Sequence, residues 1–247
     1  MTYQPYTIFG ADRPGRWLIT CDHASNFVPL EINGGDLGIG PADMNRHIAY
    51  DIGARGTSLI LGELLNSPVI CSNFSRLVID PNRGADDPTL VMRLYDGTII
   101  PANRHVDAQE VQRRIDAYYR PYHDALADLA AAREDIIIIA MHSFSPRLNG
   151  RAPRPWEIGV LHAAPEDRFA PPLIQRLQEE TDLTVGDNEP YAGHLAGDSM
   201  DQHALHQGRL NALIELRQDV IASEEGQAHW AERLAAILTD TINRTSL

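Results

Sequence analysis

Apolar residues occur in this chain in two rhythms. Short, mostly apolar runs fill residues 17–22, 68–71, 135–142, 156–161 and 210–216. Runs of roughly four to eight such residues, bounded by turn formers, read as strands buried on both faces of a parallel sheet. Between them the spacing turns helical. Residues 41–66 read as helical, with Pro41 near the start, and 167–181 as a shorter helix. From 107 to 133, Val111, Ile115, Tyr118, Tyr122, Leu126 and Leu129 keep a helical period, and Asp107 with Glu110 resembles a capping box. Pro121 is expected to kink or split that helix, because it lacks an N–H and its ring clashes with the preceding turn. Ser223 caps a last helix carrying Trp230, Leu234, Ile237 and Leu238 on one face. Residues 77–80 read as one more short strand before the turn Pro81-Asn82-Arg83-Gly84. Repeated strand, crossover and strand predicts a three-layer α/β fold, its sheet mostly parallel or mixed, with helices on both faces. With no internal repeat, low-complexity tract or linker, residues 1–247 are expected to form a single domain.

Two of the apolar runs end in a histidine, at Asp22-His23 and at His142-Ser143. In open α/β sheets ligands bind beyond the carboxyl ends of the strands, so both imidazoles are expected on the functional edge, where two metal ligands would converge. His23 and Asn26 have the spacing of the His-x-x-Glu pair of zinc hydrolases, which makes Asn26 a candidate ligand, although a neutral amide binds zinc poorly. Asp51, one helical turn after His47 in HIAYD, is the candidate carboxylate ligand; a surface His47–Asp51 pair of small energetic value is the competing reading. Arg76 and Arg83 flank the short run in SRLVIDPNR. There they are placed to polarise a scissile carbonyl and to bind a substrate carboxylate, with Asn82 adding an amide donor, unless they serve structural salt bridges. Glu215 interrupts the last apolar run, and such a carboxylate is either paired, with Arg217 the nearest arginine, or poised in a cleft. The stretch GDNEPYAG at 186–193 reads as a loop that either closes over a ligand or simply turns.

Composition narrows the chemistry. The chain has no lysine, so Schiff-base or pyridoxal-phosphate catalysis, a phosphate-loop lysine and a serine–lysine dyad are excluded. Arginine still clamps carboxylates bidentately, which suits a small acidic substrate. A formal charge of −13 with no basic stripe argues against nucleic acid and anionic membrane surfaces. Cys21 and Cys71 lie inside apolar runs and are expected as reduced core thiols. No stretch approaches ~18 consecutive apolar residues and the start lacks a signal-peptide pattern, so a soluble cytoplasmic protein is expected. No heptad or exposed apolar stripe speaks to oligomeric state.

CDHASN, HIAYDIGA, SRLVIDPNR, MHSFSP, GDNEPYAG and IELRQDVI, in this order across nearly the whole chain, resemble the N-formylglutamate amidohydrolase family. That resemblance implies a fold similar to zinc carboxypeptidases and to the aspartoacylase and succinylglutamate desuccinylase group. It implies a metal-dependent amidohydrolase, zinc being the expected ion, that releases formate and L-glutamate from N-formyl-L-glutamate, a late step of histidine breakdown. In the aspartoacylase group an Asp-x-Asn-Arg motif contacts substrate, which Asp80-Pro81-Asn82-Arg83 matches, and a glutamate on a late strand is the general base, which Glu215 matches. Asn26 departs from the pattern, standing where a glutamate ligand is usual. The expected site is therefore Glu215 and Arg76 for catalysis, Asn82, Arg83 and Arg217 for substrate, and His23, His142, Asp51 and Asn26 for metal. Two other classes share part of this set: a non-haem iron oxygenase, which also uses two histidines and a carboxylate, and a metal-free dicarboxylate-binding protein.

Overall fold

The apolar runs and a few weaker segments form nine strands in the computed structural model, which describes residues 3–148, 150–164, 166–193, 195–245 and 247. They are β1 (Tyr6–Phe9), β2 (Trp17–Cys21), β3 (Val69–Ser72), β4 (Leu94–Tyr95), β5 (Thr98–Ile99), β6 (Ile137–Phe144), β7 (Ile158–Leu161), β8 (Val185–Asp187) and β9 (Asn211–Arg217). Seven join one sheet in the order β1-β3-β2-β6-β9-β7-β8, and β4 with β5 makes a separate hairpin. The centre of the sheet is parallel, while β1 runs antiparallel to β3 and β7 antiparallel to β9, so the sheet is mixed. β1 and β8 escape sequence reading because they are short and incompletely buried, which leaves little apolar pattern.

Among the described residues there are seven α-helices, six between strands and the last after β9: α1 (Pro41–Met44), α2 (Ala54–Leu64), α3 (Ala108–Arg114), α4 (Arg120–Ala131), α5 (Ala170–Gln178), α6 (Ser199–His203) and α7 (Glu224–Arg244). Alternate residues of the buried strands serve opposite layers. Trp17, Ile19 and Cys21 of β2 pack with α2, α5 and α7 through residues such as Leu61, Leu173, Trp230 and Leu234. Leu18 faces the other way, onto Tyr122, Leu126 and Ala130 of α4. Helices thus cover both faces. A third apolar cluster, with Ile48, Phe74, Leu77 and Tyr118, lies in the segments around the long connections. No described helix is long and apolar enough to cross a membrane.

Three local departures from the sequence reading shape the site. The expected helix at 41–66 is broken into α1 and α2, and Gly53, at φ 80°, begins the second piece. A Cβ there would meet the Ile221 carbonyl oxygen at 2.2 Å, so both conformation and space demand glycine. The nonhelical residues between the two pieces carry His47 and Asp51. The run 77–80 is not a strand: the Leu77 and Val78 carbonyls accept from the buried side chains of Asn103 and Arg114, and its apolar groups fill the third cluster instead of a sheet. Finally, Pro121 does not split the 108–131 helix; the turn before it, Ile115–Tyr119, widens to π-helical form. Such turns absorb a missing backbone donor.

Candidate active site

Beyond the carboxyl ends of β2, β6 and β9 lies a cavity of about 260 Å³. β2 leads directly to His23, β6 carries His142, and the β6–β9 register sets His142 opposite Glu215. Asp51 comes from the nonhelical stretch ahead of α2, its backbone N–H donating to the His23 carbonyl oxygen at 2.9 Å. Both imidazoles turn Nδ1 towards the same carboxylate oxygen: Asp51 Oδ2 lies 3.2 Å from His23 Nδ1 and 2.9 Å from His142 Nδ1. The Ser143 N–H also donates to it, at 3.2 Å. All three side chains are buried, and the imidazole rings meet at 71° with centroids 4.9 Å apart. Burial alone would raise the Asp51 carboxyl, yet the histidines, His23 foremost, hold it well below the usual carboxylate range. Burial works against the His142 charge, but the bond to and the charge of Asp51 lift it to about 9.

The far nitrogen of His23 is fixed as well. Nε2 lies 2.7 Å from Oδ1 of Asp80, whose other oxygen takes two bonds from Arg76, at 3.0 and 2.7 Å. Arg76 lies 3.6 Å from Asp51 through Nη1 and 5.3 Å from the Tyr95 ring centroid. Burial would raise the Asp80 carboxyl, but the Arg76 charge and His23 depress it strongly. Glu215 stands apart: its Oε2 has no hydrogen-bond partner among the described residues. Burial, with the Asp51 charge adding and His142 opposing, pushes its carboxyl up to about 7. A carboxyl so tuned exchanges protons near neutral pH.

One oxygen and two nitrogen donors, all within 4.8 Å of one another, could hold a metal ion. Their chemistry suits a divalent ion of the zinc type, whose catalytic sites take three protein ligands and leave one position open. The buried carboxylate behind His23 is the partner a metal-ligating imidazole usually has on its second nitrogen. On these observations the residues fit such an ion.

The family model for N-formylglutamate amidohydrolase matches residues 15–222. The chain belongs to the N-formylglutamate amidohydrolase family. It is a hydrolase of amide bonds, which separates it from the oxygenase and from the simple binding protein. This amidohydrolase is 32% identical to a gene product of Agrobacterium tumefaciens, with a TM-score of 0.92 over 98% of this chain and 96% of the other. It also shares its fold with N-formylglutamate amidohydrolase from Ralstonia eutropha, at 21% identity and a TM-score of 0.70 over 97% of each chain. No curated protein matches the chain.

Of the residues expected from sequence, His23, His142, Asp51, Glu215, Arg76, Asn82 and Arg83 all line this amidohydrolase's cavity, as does His47. Asn26 does not join the cluster. Its amide donates to the Met44 carbonyl oxygen and to Asn45 Oδ1, because the chain after His23 is irregular and a spacing of three does not place two side chains on one face. Arg217 is also turned away, bonded to Asp219, to Glu157 and to the carbonyl oxygens of Arg154, Pro155 and Trp156. His47 and Asp51 share no helix face, yet both reach the cavity. Asp80 is fully buried behind His23, so within the Asp-Pro-Asn-Arg motif only Asn82 and Arg83 face the cavity. Tyr191, in the GDNEPYAG stretch, lines the cavity, and so does Tyr95 of β4, which sequence reading did not single out.

The Asp80–Arg83 loop is braced from behind. The Pro81 carbonyl oxygen accepts from His123 Nε2 at 3.0 Å, which leaves His123 Nδ1 to accept from His203 Nε2 at 2.8 Å. Burial, reinforced by the charge of a protonated His123, lowers the His203 imidazole to about 3. The unfolded chain therefore binds this proton first. Its contribution to stability is complete above the ordinary value of 6.5 and is lost as pH falls from 6.5 towards about 3. His203→Gln is expected to flatten the fall of Tm across that window; a slope identical to that of the parent protein would contradict the assignment.

Proposed function

We propose that this chain is a metal-dependent amidohydrolase that cleaves N-formyl-L-glutamate, or a closely related N-acyl amino acid, to formate, or the corresponding acid, and the free amino acid. The single observation that carries the reading is the convergence of both histidine Nδ1 atoms on Asp51 Oδ2 at a cavity, with Glu215 beside them on the next strand. The family supplies the amide bond and the substrate type.

His23, His142 and Asp51 would hold the ion. When bound, a divalent ion supplies Lewis acidity and lowers the pKa of a water from about 15.7 towards about 7. Glu215 takes the proton of the attacking water and returns it to the leaving nitrogen, since amide cleavage needs both an acid and a base. Its burial prepares it for both directions of transfer. Arg76, tied to Asp80 and close to Asp51, places positive charge where the carbonyl oxygen gains negative charge, an effect commonly worth ~3 kcal/mol for one donor.

Arg83 and Asn82 recognise the acid end of the substrate. Arg83 lines the cavity and spends one nitrogen on the Asn82 carbonyl oxygen, at 2.8 Å. Its own carbonyl oxygen is held by the Tyr119 hydroxyl, also at 2.8 Å, which locks its backbone. Bidentate binding of a carboxylate is what guanidinium geometry offers. Arg83→Gln should raise KM for N-formylglutamate by roughly 10- to 100-fold, the range of a lost charge-assisted contact, while kcat changes far less. Equal losses in kcat and kcat/KM would instead place Arg83 at the reacting bond. Release of the free amino acid from a panel of N-formyl and other N-acyl amino acids tests the substrate assignment: N-formylglutamate should lead the panel, and no turnover of any member would overturn the reading.

A further inference from the structure

The described site uses one ring nitrogen of each histidine, and the second nitrogen of His23 is satisfied by Asp80. The second nitrogen of His142 is not. Nε2 of His142 is buried without a hydrogen-bond partner among the described residues, and so is Oδ2 of Asp22. These two atoms face each other at 3.8 Å, about 1 Å beyond hydrogen-bond distance. Buried polar groups are nearly always paired, so a donor and an acceptor left unmade and adjacent mark a bond that forms in another state of the protein.

The rest of Asp22 is fixed. Its Oδ1 accepts from the Tyr122 hydroxyl, and its carbonyl oxygen accepts from Ser72 Oγ at 2.6 Å. Tyr122 is wholly buried on α4, just past the π-helical turn. Burial, with the Asp22 charge, pushes the phenol well above its usual range and keeps it a donor. Asp22 is itself fully buried, and among the described residues His142 is the one basic side chain within 4 Å of its carboxylate. A buried carboxylate so placed is costly to keep for packing alone.

We infer that Asp22, anchored by Tyr122, is a positioning residue for His142: it takes the Nε2–H and so leaves the Nδ1 lone pair free to ligate the ion shared with His23 and Asp51. This rests on the metal-site reading above. In the structure as described, Asp51 draws His142 through Nδ1. With Nδ1 engaged as a ligand, the imidazole keeps its one proton on Nε2, and a shift of about 1 Å closes the bond to Asp22. Each histidine then has its own buried acid, Asp80 for His23 and Asp22 for His142, although neither acid touches the ion.

The test uses the full chain with two readouts other than activity. The first is zinc affinity by competition with a chromophoric chelator. The second is the set of exchangeable imidazole N–H resonances in the cobalt(II)-loaded protein, with histidine labelled by ¹⁵N. The parent protein should show two slowly exchanging ligand N–H signals. Asp22→Asn should weaken zinc by about 10- to 100-fold, the usual cost of losing such a partner, and should abolish or shift one signal while the other stays. Tyr122→Phe, which keeps the carboxylate but frees it, should lower affinity less and speed exchange of the same signal. Should Asp22→Asn fail to fold, Tyr122→Phe and the parent spectrum still decide the matter. Zinc bound equally tightly by the parent and by both folded variants, or a parent spectrum with a single such signal, overturns the role of Asp22. A parent protein that takes up no zinc or cobalt overturns the metal site itself.

Discussion

Glu215→Gln is expected to retain zinc and bind N-formylglutamate with nearly the parent KM while losing roughly 10²- to 10⁴-fold in kcat, the range contributed by a positioned acid–base group. Gln keeps the size of the side chain and removes only its ability to carry a proton. Glu215 is 7% exposed, opposite His142 on the neighbouring strand, and has an oxygen free of any partner among the described residues. Among the described residues it forms no ion pair that would stabilise the fold, so the variant should melt close to the parent temperature. In the parent, the carboxyl is raised to about 7 by burial. The residual activity of the variant should therefore lose whatever part of the pH profile Glu215 provides near neutrality. An unchanged kcat would remove Glu215 from the mechanism.

Asp51→Ala should be more damaging still. One oxygen of this residue is shared by both histidine Nδ1 atoms and by the Ser143 N–H, and the other faces Arg76 at 3.6 Å. Its loss removes the only anionic ligand of the proposed set and leaves two imidazoles and a guanidinium facing one another. Metal affinity should fall by more than the 10- to 100-fold typical of an outer partner, and turnover should fall with it. Excess zinc should restore part of that turnover. If Asp51→Ala keeps both stoichiometric zinc and full activity, the carboxylate ligand has been misassigned.

What the sequence made legible follows from what burial does to residue patterns. β2, β6, β7 and β9 are visible because both of their faces are covered, which leaves a mostly apolar run for the eye to find. His23, His142 and Glu215 stand out against those runs, and the sheet then places them at its carboxyl edge, as expected of an α/β fold. Contacts between distant segments carry no such mark. Asp80 is 57 residues from the His23 it orients, and Tyr122 is 100 from Asp22. Asn26 misleads for a related reason: the motif spacing is present, but the local backbone that would give the spacing meaning is absent. Arg217 continues the strand of Glu215 yet lies at its very end, where Glu157 and three carbonyl oxygens claim it.

The most direct test of the account is formate release from N-formyl-L-glutamate by the purified chain in three states: as loaded with one equivalent of zinc, after stripping with a chelator, and after zinc is returned. The same series is run on His142→Ala. Activity in the first state, its loss in the second, its recovery in the third and its absence throughout in the variant are the predicted results. Formate release at the parent rate by the fully stripped protein, or by His142→Ala, would contradict the claim that His23, Asp51 and His142 build a catalytic metal site.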